Sequence, residues 1–165
     1  MGKDIMSKMR ETVDTITDAA FIDGPRDSRI KALYEHWDGL RRGRTMPSRA
    51  DFDPMAIPAL LPNVIMYAVG TDGGYTVRLV GEEVAQFVGR NRTGSAAGEG
   101  MPPRAAAMMV KILDAVTSER APKFRAGKAH WQPDKDHRNF EACFLPLSPD
   151  GEMVNMVLAG VTFPR

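Results

Sequence analysis

The stretch Asn63–Val80, NVIMYAVGTDGGYTVRLV, decides the fold of this 165-residue chain. It contains two runs rich in β-branched and aromatic residues, at 63–69 and 75–80, and such runs favour β-strands. Between them lies Asp72-Gly73-Gly74, whose residue types are typical of a tight hairpin turn. The stretch therefore predicts an antiparallel hairpin of residues 63–69 with residues 75–80.

Toward the C-terminus, the pattern predicts one long helix followed by three more strands. Pro102 and Pro103 precede a segment of roughly 103–119 in which apolar residues recur every three or four positions, as in an amphipathic helix. The next strand-like runs are at about 123–131, 138–147 and 153–163. The connection Ser148-Pro149-Asp150-Gly151 has strong turn chemistry. Strands joined by such short loops are antiparallel.

A helical middle segment separates the hairpin from these three strands. It holds a predicted two-turn helix at 82–88, a glycine-rich stretch at 89–100 and the long helix. We therefore expect an α+β fold, with a five-stranded antiparallel sheet, helices on one face, and further helices at the N-terminus.

The N-terminal third contains two apolar stripes at helical spacing, on either side of Asp23-Gly24-Pro25. The second stripe follows the cap candidates Asp27 and Ser28 and consists of Ile30, Leu33, Tyr34, Trp37 and Leu40. The first is narrower and consists of Ile5, Met9, Val13, Ile16 and Ala20. It predicts an amphipathic dimerisation or docking helix in residues 1–25, ahead of one domain in 26–165. The alternative is a frayed tail, because isolated helices of this length are marginal in water.

Composition excludes several classes of protein. Lys and Arg total 22 against 21 Asp and Glu, for a net charge of +1, which argues against a strongly electrostatic nucleic-acid binder. The apolar runs are shorter than the ~20 residues of a membrane helix, and the charged N-terminus lacks the apolar core of a signal peptide. The single cysteine, Cys143, excludes an intramolecular disulfide. We expect a cytoplasmic protein with no nucleic-acid partner and no membrane insertion.

The predicted order β-β-α-α-α-β-β-β resembles that of a PAS domain. The residues themselves resemble the stand-alone PAS-like proteins of alphaproteobacteria over roughly 29–160. The segments that carry the resemblance are LYEHW (33–37), LRRGR (40–44), MPSRADFDPMAIPALLPNVIM (46–66), YTVRLVG (75–81), GRNRTG (89–94) and FLPLS (144–148).

This resemblance implies a non-catalytic sensory or regulatory domain in bacterial signal transduction. It implies a homodimer, formed through the N-terminal helices and the exposed face of the sheet. The protein partners would be a sensor kinase or a response regulator, since the chain is nearly all PAS-like and has no output domain in view. The alternatives are a small-molecule sensor as the primary role and, less favoured, an enzyme on an unrelated α+β fold.

A ligand site is expected between the long helix and the sheet, where PAS domains hold ligands. The chain has 11 methionines, and methionine adapts to irregular cavities. A pocket for a small apolar ligand would be lined by Phe87, Met109, Ile112, Phe144 and Met156. The alternative is a filled core with no cavity.

Four arginines, Arg41, Arg42, Arg44 and Arg49, form a basic run after the second stripe. They could contact an anion or a partner protein, because arginine binds phosphate and carboxylate bidentately. The alternative is a structural role in a helix C-cap and an ion pair of Arg49 with Asp51 or Asp53.

The positions of cysteine and histidine argue against two cofactors that PAS domains can bind. Cys143 lies in a predicted strand, which argues against flavin–cysteine photochemistry, and residues 82–119 contain no histidine, which argues against haem. A cluster of His130, Asp134, Asp136 and His137 could surround a metal, but its spacing matches no standard zinc pattern. We interpret it as a solvated hairpin loop and predict no metal site and no catalytic residue.

Overall fold

The computed structural model describes residues 19–135 and 137–164. It has a six-stranded antiparallel sheet of order β1-β4-β5-β6-β2-β3. The strands are β1 (Ala19–Ile22), β2 (Val64–Val69), β3 (Tyr75–Val80), β4 (Lys123–Lys128), β5 (Asn139–Leu147) and β6 (Met156–Thr162). The helices are α1 (Ser28–Arg41), α2 (Glu82–Val88) and α3 (Pro103–Glu119). This architecture confirms the α+β fold, and each of the five predicted strands is present.

The predicted hairpin is confirmed as the pair β2–β3. Ile65 pairs with Val80 and Val69 with Tyr75, with an irregularity in the register between Met66 and Tyr67. The outer edge of β3 is covered by the glycine-rich segment, because the Val77 N–H donates to the carbonyl oxygen of Ser95 at 2.9 Å. An edge strand covered in this way has fewer backbone groups open to another chain.

The sheet contains a sixth strand, β1, in a segment for which the sequence predicts a helix. Ala20, the last member of the first stripe, pairs with Ala126 of β4, and Ile22 pairs with Phe124. A helical spacing of apolar residues carries no information about a strand partner a hundred positions away. Here the pairing of β1 with β4 decides the local structure instead of the helical pattern. The other members of the stripe, Ile5, Met9, Val13 and Ile16, lie outside the described residues.

Helix α1 packs on the sheet face that the resemblance implies to be exposed. The side chain of Asp27 caps it by accepting the N–H groups of Arg29 (2.9 Å) and Ile30 (3.2 Å). Its buried residues include Leu33 and Trp37, and it packs against β5 and β6, where Leu145 is fully buried. Because α1 packs on β5 and β6, the centre of this face is not an open surface.

Trp37 substitutes for a missing strand partner of β5. The pairing of β4 with β5 ends at Lys123–Phe144, so beyond that point β5 has no neighbour on the β4 side. Pro146 is tolerated in this stretch because it has no N–H to donate. Its carbonyl oxygen accepts a 2.9 Å hydrogen bond from Nε1 of Trp37.

The segment before β2 forms short 3₁₀ turns. The turns are Arg49–Asp51, Pro54–Ala56 and Leu61–Asn63. Asp53 caps the second turn, since its Oδ1 accepts the Met55 N–H at 2.9 Å. Prolines at 58 and 62 lack the N–H groups of a continuous helix, so the segment does not form one long helix.

None of the helices within residues 19–135 and 137–164 combines the length and apolar character that a membrane span requires.

Candidate functional site

A cavity of about 130 Å³ lies between the sheet and the helices α2 and α3. The sheet contributes inward-facing residues such as Tyr67, Ala142 and Phe144, and the helices contribute Val84, Met109 and Ile112. Ala142 of the sheet and Ala105 of α3 line this space with small buried side chains. Larger residues at these two positions would fill much of the volume, so the room for a ligand depends on them.

Three of the five predicted lining residues, Met109, Ile112 and Phe144, line the cavity. Phe87 does not line it, because its ring stacks on that of Phe163 with centroids 3.7 Å apart. Met156 also does not line it. Val161 of the same strand faces the cavity, and a side-chain period of two residues places Met156, five positions earlier, on the opposite face.

The loop between β4 and β5 forms one end of the cavity. Trp131 and Gln132 belong to the lining, and Gln132 Nε2 donates to the carbonyl oxygen of Val88 at 3.2 Å. Lys135 donates to the carbonyl oxygen of Phe87. These bonds join the loop to the C-terminal end of α2.

Charged side chains also line the cavity, and their sequence signal was weak. They are Arg90, Arg92, Arg125 and Glu99. Arg125 is 8% exposed, and its guanidinium lies 5.6 Å from the centre of the Phe21 ring. The sequence shows Arg125 only as a basic residue inside a predicted strand. Its position there does not determine on which face of the sheet the side chain lies.

Tyr67 contributes the cavity's phenol, with its hydroxyl 3.9 Å from Sδ of Met109. Burial raises the pKa of Tyr67 above its ordinary value. The phenol therefore remains neutral at physiological pH and can act as a hydrogen-bond donor.

The basic run makes intramolecular contacts. Arg41 pairs with Asp38 and lies 5.0 Å from the Trp37 ring centre. Arg42 ends α1 in the left-handed conformation, with φ 51°, and is exposed. A role of the run as an anion or partner contact stays a prediction.

The structural alternative for the run includes an intramolecular ion pair, with Arg49 and Asp51 or Asp53 as the example, and the structure forms this pair with a different arginine. Arg44 pairs with Asp51 at 2.8 Å, whereas Arg49 donates to the carbonyl oxygen of Phe52 at 2.9 Å. The reason is the capping box, in which the Asp51 carboxylate turns back to accept the Ser48 N–H. That hydrogen bond, together with those from Arg44 and the Ser48 hydroxyl, lowers the pKa of Asp51 to about 2.

In the described part of the chain, no group of three or more His, Cys, Asp or Glu residues could hold a metal ion. Asp136, one member of the loop cluster that we considered, lies outside that part. Residues Pro133–Lys135 of the same loop form a short 3₁₀ turn.

Cys143 lies on β5 with its side chain on the α1 face, and it is fully buried. Burial raises its pKa to about 12. Because the thiolate is the reactive form, we expect iodoacetamide to label the native protein negligibly at about pH 8 and to label one thiol per chain in denaturant. Mass spectrometry measures the labelled fraction. Complete labelling in native buffer within minutes would contradict the buried position.

The comparisons with known proteins agree with this architecture. A family model described as a PAS domain matches residues 26–161, and no curated protein is similar enough to be matched. PAS domains are generally sensory or regulatory signalling domains without catalytic activity. The match runs from the residue before the α1 cap nearly to the end of β6 and includes the whole cavity. The chain therefore belongs to the PAS domain family.

Proposed function

We propose that this protein is a non-catalytic sensory domain in signal transduction that binds a small organic ligand in the cavity between α3 and the sheet. The observation that carries the proposal is the cavity of about 130 Å³, where a filled core was the alternative. An engineered apolar cavity of ~150 Å³ binds benzene. The apolar part of the ligand is therefore about as large as one six-membered ring.

The chemistry of the cavity supports binding over catalysis. Its described lining contains no histidine, cysteine or aspartate. Tyr67, with its raised pKa, is a poor general base. A nucleophile needs a base within hydrogen-bond reach, and the residues that line this cavity offer arginines, one glutamate and one glutamine around apolar side chains.

A network of hydrogen bonds connects the cavity wall with α1 and supports transmission of a signal. Helix α2, which lines the cavity through Val84, carries Glu83. Nδ2 of Asn63 donates to Glu83 at 2.7 Å, and Arg29 of α1 donates to Asn63 at 3.0 Å and to Glu83 at 3.1 Å. A ligand that shifts α2 would act on α1 through these bonds.

The same proposal includes a homodimer and a signalling partner. The segment that precedes β1 would contribute to the dimer or dock the partner, which would be a sensor kinase or response regulator. The resemblance to stand-alone PAS-like proteins of alphaproteobacteria supports both.

Benzene is the probe that tests the cavity, and Trp131 is its reporter. Trp131 lines the cavity, whereas Trp37 is buried on the other face of the sheet. We expect benzene to change the tryptophan emission of the full chain in a saturable way, because it replaces empty space beside the indole. The variant Trp131→Phe should abolish this response.

Ala142→Leu is the decisive variant, since it adds three carbon atoms inside the cavity. We expect it to abolish the benzene response while leaving the melting temperature unchanged or higher, as cavity-filling substitutions do. Ala107→Leu, at an exposed position of α3, is the matched control and should keep the response. A benzene response that survives Ala142→Leu in folded protein would contradict the proposed site, and so would no response in the unmodified chain.

A further inference from the structure

The charged groups that line the cavity are predominantly positive. Three arginines and one glutamate belong to the lining. The Glu99 carboxylate accepts the Ala96 N–H at 3.1 Å, and within the described residues it makes no ion pair with Arg90 or Arg92. An apolar cavity with this excess of positive charge is complementary to an anion.

Arg92 is a cavity cation with a hydrogen-bond donor that is not used. Among the residues that the structure describes, its buried Nε has no hydrogen-bond partner, and its side chain makes no ion pair. A buried polar group without a partner is costly, and native structures seldom retain one without a reason. A ligand carboxylate in the cavity would satisfy this group.

Gly100 creates the space in which the Arg92 guanidinium lies. A Cβ atom at position 100 would come within 2.2 Å of Nη1 of Arg92, and the backbone there has φ +81°, which favours glycine. The guanidinium thus lies directly against the backbone of a residue that itself lines the cavity. A side chain at position 100 would therefore compete with the guanidinium for this space.

Arg125 places a second positive charge on the same cavity from the side of the sheet. It is 8% exposed and pairs with Ala142 of β5 in the register of the sheet, next to the small side chain that leaves the space open. Because the Arg125 side chain makes interactions of its own within the protein, the ligand anion is assigned to Arg92.

We propose that the ligand is a small organic monocarboxylate and that Arg92 binds its carboxylate group. The body of the ligand is apolar and of the size of one ring, as in an aryl carboxylate, and it occupies the space beside Met109 and Ala142. Arginine suits this role because its planar fork forms two parallel hydrogen bonds with a carboxylate. This inference rests on the proposed function, because it names the ligand class for the same cavity.

The proposed negative charge of the ligand is tested with benzoate, benzamide and benzylamine. These molecules share one aromatic ring and differ only in the head group. We expect the full chain, followed by Trp131 emission, to bind benzoate at least about tenfold more tightly than benzamide, the gain typical of a charge-assisted hydrogen bond. Benzylamine should bind more weakly than benzamide. Of the three ligands, only benzoate should bind more weakly when salt is added, because salt screens its attraction to the arginine.

Variants of Arg92 and of its surroundings assign the carboxylate to this residue. We expect Arg92→Gln to reduce benzoate affinity to that of benzamide without changing the affinity for benzamide. Arg92→Lys keeps the positive charge but lacks the planar guanidinium that binds a carboxylate through two hydrogen bonds. We therefore expect its loss of benzoate affinity to be smaller than that of Arg92→Gln. Gly100→Ala displaces the guanidinium without removing it. It should therefore also lower the affinity for benzoate more than the affinity for benzamide. The matched control is Arg78→Gln, which removes an exposed arginine of β3 outside the cavity.

The outcomes separate this inference from the proposed function. Equal binding of benzoate and benzamide, or an equal loss of both in Arg92→Gln, would overturn the carboxylate ligand and leave a cavity for neutral molecules. If benzene, benzamide and benzoate all fail to change the emission, the proposed function and the inference fall together. Benzoate selectivity that depends on Arg92 and survives in Arg78→Gln supports both.

Discussion

Replacement of Trp37 by alanine is expected to lower the free energy of unfolding by about 3–5 kcal/mol, the usual range for a large buried aromatic side chain. Trp37 is 1% exposed and lies between Tyr34, whose ring centre is 6.1 Å away, and the guanidinium of Arg41. Its removal leaves a cavity under α1 and also leaves the carbonyl oxygen of Pro146 without its donor. Chemical denaturation of the full chain measures the loss.

Trp37→Phe separates the hydrogen bond from the packing. It keeps an aromatic ring but removes the Nε1–H that donates to Pro146, so we expect a smaller loss, of about 1–3 kcal/mol for an unsatisfied buried acceptor. A loss below about 1 kcal/mol in Trp37→Ala would mean that α1 contributes little to the domain, and would contradict its packing on β5 and β6.

Replacement of Gly81 by alanine is expected to cost about 3 kcal/mol, at the upper end of the range for overpacked sites. A Cβ atom at this position would lie 2.2 Å from the carbonyl oxygen of Leu61 and 2.4 Å from the carbonyl carbon of Pro62. These are backbone atoms, so the Leu61–Asn63 turn would have to move. The backbone at Gly81 has φ −66°, which alanine adopts freely, so the cost is one of space alone.

Gly39→Ala is the matched control with the opposite sign. Gly39 lies inside α1, and no heavy atom is within 4 Å of the position that a Cβ would take. The same substitution should therefore stabilise the protein by up to about 1 kcal/mol through helix propensity. Thermal denaturation of the two variants measures both changes. A neutral Gly81→Ala would show that the turn can move away from β3 at little cost.

The turn against Gly81 also carries Asn63, which is 4% exposed and donates to the carbonyl oxygen of Val161 at 3.0 Å. Its other partners are Arg29 of α1 and Glu83 of α2. A shifted turn would thus loosen the contact between the helices on the two faces of the sheet. Besides lowering the stability of the domain, Gly81→Ala should weaken the transmission of a ligand-induced shift from α2 to α1 that the proposed function includes.

The candidate site was only partly accessible from the sequence. The helical spacing of α3 marks Met109 and Ile112 as members of its apolar face, and both line the cavity together with Phe144 of β5. Arg92 lies in a glycine-rich stretch without periodicity, so no pattern could direct its side chain inward. Phe87 and Met156 were misplaced because hydrophobicity marks a buried side chain without marking which of two covered faces it joins.

The sequence by itself determined the β2–β3 hairpin, helix α3 and the order of the last three strands. Each of these rests on a local period or on turn residues a few positions apart, and such signals act through neighbouring backbone atoms. The tertiary structure alone decided that Ala19–Ile22 joins β4, that α1 closes the second face, and that arginines converge on the cavity. These features depend on groups far apart in the chain, whose pairing is selected by the packing and backbone hydrogen bonds of the whole sheet.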